Sequence, residues 1–199
     1  FWLPHSIEEP VIEGDRFIIR RTKNGDTGML QNQVLLPEAG NAQIEKVGGK
    51  GKEFWVFGTN YPNDALPNRP DDANERGAWR VEVSPAVPAA ENYFLNVMQV
   101  ADNTCKRMND VKRIDAGKVV GVQIADRIVT FSKNSLPLSG KIDMKVDGNT
   151  SMKFVITDLI PGTWQIKKDG KVYIPAMEVR SNDGILSFEG TAGHYEFLR

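Results

Sequence analysis

Apolar and polar residues alternate with a period of two along much of this chain. Ile142, Met144 and Val146 alternate with Lys141, Asp143 and Lys145, which places one set on each face of a pleated strand. Trp79, Val81 and Val83 alternate in the same way with Arg80, Glu82 and Ser84. Residues 93–100 are apolar on both faces, the pattern of a strand buried centrally between two layers. No apolar stripe is sustained at helical spacing. The pattern therefore predicts an all-β fold, a mostly antiparallel two-layer β-sandwich. Trp79, Val81, Val83, Phe94, Met98, Phe154, Ile156 and Phe197 are its expected interior.

Turn chemistry punctuates these runs. Asp169-Gly170 lies between two apolar-patterned segments and supplies the two positive-φ positions of a type I′ hairpin turn. Asn24-Gly25, Asp147-Gly148 and Asp183-Gly184 mark further reversals, and Ala125-Asp126-Arg127 separates two β-rich runs. Two stretches depart from the strand pattern. Residues 62–76 contain Pro62, Pro67 and Pro70; proline removes backbone donors and fixes φ, so a long surface loop is expected there. Residues 103–113 are polar and basic, and read as a loop in preference to one short helix. No internal repeat or Gly/Ser-rich linker divides the chain. The expectation is a single β-sandwich domain over residues 1–199, with a weak subdivision near 134–140 where Pro137 interrupts the pattern.

Composition narrows the functional classes. With 25 basic and 26 acidic residues the net charge is −1, so no overall field attracts nucleic acid or an anionic polymer, and such a site would have to be a local patch. The single cysteine, Cys105, leaves no internal disulfide to form. No run approaches the roughly 18 consecutive apolar residues of a membrane span, and no signal peptide is read, so a soluble chain is expected. The chain opens on Phe1-Trp2-Leu3 without an initiator Met, which suggests a longer parent.

Metal and nucleophile chemistry find little footing. His5 and His194 lie at opposite ends of the sequence, with no C-x-x-C or H-x-x-x-H spacing. Asp64, Asp71, Asp72 and Glu75 offer oxygen ligands on one loop and give a weak calcium reading, without EF-hand spacing. No G-x-S-x-G elbow occurs. The glycines of residues 48–52 lack the spacing and following helix of a phosphate loop, and read as a hairpin turn.

Several segments together resemble a known family. They are Gly77-Ala78-Trp79-Arg80-Val81-Glu82-Val83-Ser84-Pro85-Ala86, the following Asn92-Tyr93-Phe94-Leu95-Asn96-Val97-Met98-Gln99-Val100, and upstream Gly49-Lys50-Gly51-Lys52-Glu53-Phe54-Trp55-Val56 with Asn60-Tyr61-Pro62. Gly162-Thr163-Trp164 through Phe188-Glu189-Gly190 completes the set. In this order they resemble the C-terminal β-sandwich region of heparinase II/III-like polysaccharide lyases. The resemblance implies a non-catalytic accessory module beside an N-terminal α-helical toroid catalytic domain. It also implies an acidic, uronic-acid-containing polysaccharide as substrate of the whole protein, and a periplasmic or secreted setting. In the family the catalytic Asn, His and Tyr belong to the toroid and the first large sheet region, so no catalytic residue is assigned to this chain, nor any metal or cofactor.

Elimination from a uronic acid needs a base and a group that neutralises the carboxylate. His5, His194, Tyr61, Tyr93, Tyr173 and Tyr195 are the residue types suited to it. Tyr93 reads as core, and adjacent His194 and Tyr195 should face opposite sides of a strand. Sugar contact without catalysis is the other option, since aromatic faces stack on sugar rings and nearby cations pair with sulfate or carboxylate. Trp55, Tyr61, Lys50 and Lys52 are the candidate glycan contacts, whereas Trp79 and Trp164 are in phase with core positions. An autonomous carbohydrate-binding or adhesion module is thus the alternative to an accessory scaffold. A complete site built from the two His residues and the tyrosines is a third.

Overall fold

A computed structural model describes residues 2–61, 77–134 and 136–199. The proline-rich stretch 62–76, with the proposed calcium ligands Asp64, Asp71, Asp72 and Glu75, lies outside the described residues. Among the described residues there is no helix, and the pairing between named strands is antiparallel with one exception described below. The all-β reading is borne out.

The chain forms two compact units, Phe1–Met108 and Asn109–Arg199. The first contains β1 (His5–Ser6), β2 (Val11–Glu13), β3 (Arg16–Lys23), β4 (Asp26–Leu36), β5 (Ala42–Gly48), β6 (Trp55–Val56), β7 (Thr59–Asn60), β8 (Trp79–Pro85) and β9 (Leu95–Asp102). One sheet runs β2-β3-β4-β9 and the other β1-β8-β5, with β6-β7 as a separate hairpin. Asn24 and Gly25 both take positive φ at the β3–β4 reversal. The two sheets meet through Phe17 and Val34 on one side and Val81 and Val83 on the other, with Trp2, Ile12, Ile19, Ala42 and Ile44 packed around them.

In this unit the pattern of β9 departs from expectation. The strand is the edge of its sheet, not its centre. Phe17 pairs with Asn32 and Asn32 with Met98, so Met98 and Val100 share the face that carries the core residue Phe17. The core does not extend over them, and they are 57% and 79% exposed. Phe94 is likewise exposed, Trp79 is half-buried, and only Val97 of β9 is buried. Tyr93, also read as core, is exposed. An apolar pattern reports which residues could be covered; the partner layer decides which are.

The second unit contains β10 (Val111–Ala116), β11 (Val119–Ile124), β12 (Arg127–Ser132), β13 (Ile142–Val146), β14 (Met152–Ile156), β15 (Gly162–Lys168), β16 (Lys171–Val179), β17 (Leu186–Gly190) and β18 (Gly193–Leu198). Its five-stranded sheet runs β10-β11-β12-β14-β17 and its four-stranded sheet β13-β18-β15-β16. The β12–β14 pair is parallel. Residues 103–110 contain no helix, and residues 111–113, expected as loop, begin β10. Residues near 134–140 lie inside this unit, where Leu138 bridges to Leu159. Asp169 and Gly170 both take positive φ between β15 and β16, as the turn chemistry predicts.

The interior of the second unit is a sandwich core. Ile142, Met144 and Val146 point inward from β13 and Trp164 and Ile166 from β15, against Ile128, Phe154, Ile156 and Phe188 of the other sheet. Trp164 is fully buried, and its indole N–H donates to the Ile160 carbonyl at 3.1 Å, which satisfies its one polar atom. Phe154 stacks on Phe188 at 4.7 Å between centroids, and Tyr195 packs on Phe154 at 4.7 Å.

These environments separate two residues that the alternation pattern treats alike. Phe154→Ala is expected to destabilise the second unit by about 3–5 kcal/mol, through lost transfer energy and a cavity. Met98→Ser in the first unit should cost less than about 0.5 kcal/mol. Urea denaturation followed by circular dichroism measures both, and equal losses would contradict this assignment of core and edge.

Candidate functional site

Residues 48–61 form a projecting turn and hairpin in the first unit. Gly48 and Gly49 sit at positive φ, and a β-carbon on Gly49 would lie 2.8 Å from the Trp79 ring. Glycine is needed there because the indole occupies the space a side chain would fill. The Lys52 amide donates to the Gly49 carbonyl at 2.8 Å, and the Gly51 amide to Glu53 Oε2 at 2.9 Å. The Phe54 amide donates to Asn60 Oδ1 at 2.8 Å and the Tyr61 amide to the Phe54 carbonyl at 3.2 Å, which ties off the base of β6–β7. Phe57 and Gly58, both at positive φ, make its tip.

Of the four candidate glycan contacts, the fold brings two together. Lys52 Nζ lies 5.4 Å from the centroid of the Trp55 ring, within cation–π range. Tyr61 stands at the foot of the hairpin, 57% exposed, and Lys50 is exposed on the preceding turn. The tip residue Phe57 is fully exposed. It escaped notice because a lone Phe before Gly carries no alternation signal. A bulky residue at positive φ is uncommon, and the Phe-Gly pair at the two turn positions was the available clue.

Within each unit, no histidine is hydrogen-bonded to a tyrosine among the described residues. His5 belongs to the first unit, opposite Arg80 in the β1–β8 pairing, and His194 to the second. His194 and Tyr195 face opposite sides of β18, as alternation requires: Tyr195 is fully buried, while the His194 side chain is exposed. The Tyr195 hydroxyl donates to the Thr191 carbonyl at 2.6 Å, and burial pushes its pKa up to about 12. Such a phenol is a poor proton acceptor near neutrality. The Tyr173 hydroxyl donates to the Glu189 carbonyl at 2.9 Å.

Across the outer face of β13 and β18 runs a chain of ionic contacts. His194 Nε2 meets Asp143, Lys141 reaches Asp143 at 3.0 Å, and Lys141 also pairs with Glu196. Hydrogen bonds from His194 and then Lys141 hold the Asp143 carboxyl below its usual range, and Lys141 does the same for Glu196. Lys112 lowers Asp147 in the same way. Apart from half-buried Glu196 these groups are solvent-exposed, so each pair adds little stability. Among the described residues no group of three or more His, Cys, Asp or Glu side chains is placed to hold a metal ion. Cys105 is a free thiol, half-buried, whose Sγ donates to the Arg107 carbonyl at 3.4 Å.

Comparison with known families finds a likeness within the second unit. Residues 113–199 match the family model of the heparinase II C-terminal domain. The resemblance read from the sequence is thereby borne out, and the match falls on the unit with the closed sandwich core. No curated protein matches the chain. A heparinase II C-terminal domain implies a larger, multidomain protein.

The charge chain on β13 and β18 yields a signed pH dependence. A carboxylate whose pKa is depressed by folding contributes stability above its unfolded value, and loses that contribution as pH falls through the folded one. Lys141→Gln removes the ion-pair partner of the Glu196 carboxylate and one of the two partners of Asp143, leaving His194. The stability gap between wild type and variant should be fully present above about pH 5 and close towards about pH 2. Urea titrations across that range read it, and a gap unchanged at the acid end would show that these ion pairs contribute nothing.

Proposed function

We propose that this chain is the non-catalytic accessory module of a heparinase II/III-like polysaccharide lyase. In this reading it braces an N-terminal α-helical toroid that carries out β-elimination on a uronic-acid-containing glycan. The observation that carries the reading is the heparinase II C-terminal domain match over residues 113–199. A second observation supports the bracing role. Met98 and Val100 form an apolar strip on the face of the first unit's sheet that also carries the core residue Phe17, beyond the reach of that core. Exposed apolar surface of this kind suits a docking face for a neighbouring domain.

The hairpin at residues 50–61 is the proposed contact for the acidic polysaccharide. Lys50 and Lys52 supply positive charge, and Trp55 and Tyr61 supply ring faces for stacking. The same features would serve an autonomous carbohydrate-binding module, the alternative reading, which the Lys52–Trp55 pair favours. A polymeric glycan is met outside the cytoplasm, so the proposed setting is periplasmic or secreted. A calcium ion at Asp64, Asp71, Asp72 and Glu75 is not needed by either reading.

Two measurements separate the possibilities. The 199-residue chain incubated with heparin, heparan sulfate or alginate should give no rise in ultraviolet absorbance from unsaturated uronic ends. Robust turnover, abolished by His194→Ala, would instead place a complete site in this chain. In the larger protein, Met98→Lys with Val100→Lys should lower the melting temperature and the lyase rate, while the isolated chain keeps its circular dichroism spectrum. A larger protein indifferent to the pair would reject the docking face.

A further inference from the structure

The outer face of the β5–β8 pair carries a groove that none of the features above uses. Because Val81 and Val83 point into the core, Glu82 and Ser84 point outward, and pairing sets Glu45 opposite Glu82 and Gln43 opposite Ser84. Four polar side chains thus form a floor two strands wide. Residues 86–94 loop back over it. The loop is pinned where the Ala86 amide donates to the Asn41 carbonyl at 2.7 Å and the Val87 amide to Asn41 Oδ1 at 3.2 Å. Pro88 and Phe94 form the apolar wall of the resulting groove, whose volume is about 540 Å³.

We propose that this groove binds an uncharged sugar ring. The Phe94 ring and Pro88 offer apolar surface to the C–H face of a pyranose. The floor offers carboxylates that only accept, a hydroxyl that donates and accepts, and an amide that does both, a set matched to ring hydroxyls. Neighbouring strands lie about 4.8 Å apart, so Glu45 and Glu82 can take hydroxyls on opposite sides of one ring.

Charge decides which sugar. Like charges directly opposite on paired strands are unfavourable, and the fold relieves only one of them. Arg80 donates to Glu82 Oε1 through Nε at 2.7 Å and Nη2 at 2.6 Å. Among the described residues no cation pairs with Glu45. The groove therefore presents one uncompensated carboxylate that repels sulfated or uronate rings and accepts from neutral hydroxyls. It complements the lysine-bearing hairpin, which suits acidic rings. The proposal rests on the accessory-module reading for its choice of glycan probes, and otherwise on the groove's own chemistry.

The test is a ¹⁵N-edited nuclear magnetic resonance titration of the 199-residue chain. Separate titrants are neutral hexasaccharides of glucose, mannose and N-acetylglucosamine, a heparin-derived hexasaccharide, and oligolysine. At least one neutral hexasaccharide should shift the amides of Gln43, Glu45, Ser84 and Phe94, with affinity unchanged up to about 0.3 M salt. Phe94→Ala should weaken it by about tenfold, while Lys171→Ala, at an exposed position of the second unit, should leave it unchanged. Glu45→Lys should lower the neutral affinity and admit the heparin fragment. No groove shift with any neutral titrant overturns the proposal, as does a groove that answers only to oligolysine or to the heparin fragment. Lyase activity plays no part in this measurement, so its failure leaves the accessory-module reading standing, and a failure of that reading leaves these shifts interpretable.

Discussion

The second unit depends on one corner, where the chain leaves β17 in one sheet and enters β18 in the other. Tyr195, two residues past Gly193, sends its ring back onto Phe154 and Phe188 of the opposite layer. Its hydroxyl is satisfied locally by the Thr191 carbonyl. Gly190 makes room for this: a β-carbon there would stand 2.5 Å from the Tyr195 hydroxyl and 3.2 Å from the Phe154 ring. A large aromatic can be buried this deeply because its single polar atom is paired and its space is kept by a missing side chain. With Tyr195 and Phe197 fixed inward, strict alternation sends His194 and Glu196 outward. The charge chain with Lys141 and Asp143 is therefore a consequence of the core, and its exposed ion pairs do not set the register. Lys168 lies 5.8 Å from the Tyr195 centroid and 5.9 Å from that of Tyr173, which closes the same corner from the solvent side.

The first unit is built on a smaller core, which leaves apolar surface uncovered. Phe17, Val34, Val81 and Val83 close the centre, whereas Met98 and Val100 on the edge strand stay in solvent. This explains where the sequence was legible and where it was not. Val81 and Val83 are legible because each alternates with polar neighbours, and Phe154, Ile156 and Phe197 because they share the period of two and each strand has a layer over its apolar face. Met98 failed because a strand apolar on both faces can be central or can be an edge waiting for a partner, and periodicity is identical in the two cases. The Asp169-Gly170 turn was legible because its φ requirement is local. The division between Met108 and Asn109 was not, since no proline or glycine run accompanies it and contacts alone define it.

Surface chemistry was harder to read than the core for a related reason. Lys52 and Trp55 are legible as candidate glycan contacts because they stand three positions apart, and the fold places them in cation–π contact. The groove under residues 86–94 was invisible, because Glu45 and Glu82 are far apart in sequence and meet only through the β5–β8 register. Arg80 then neutralises one of the two and not the other. Net charge near zero had argued against a global field, and the structure distributes that neutrality unevenly, with a basic aromatic hairpin and an acidic aromatic groove on the same unit. A module that handled only an acidic polymer would gain nothing from an unpaired carboxylate beside an aromatic wall. The asymmetry runs one way: the groove's free carboxylate disfavours an anionic ring, whereas the hairpin's lysines favour one without excluding a neutral ring.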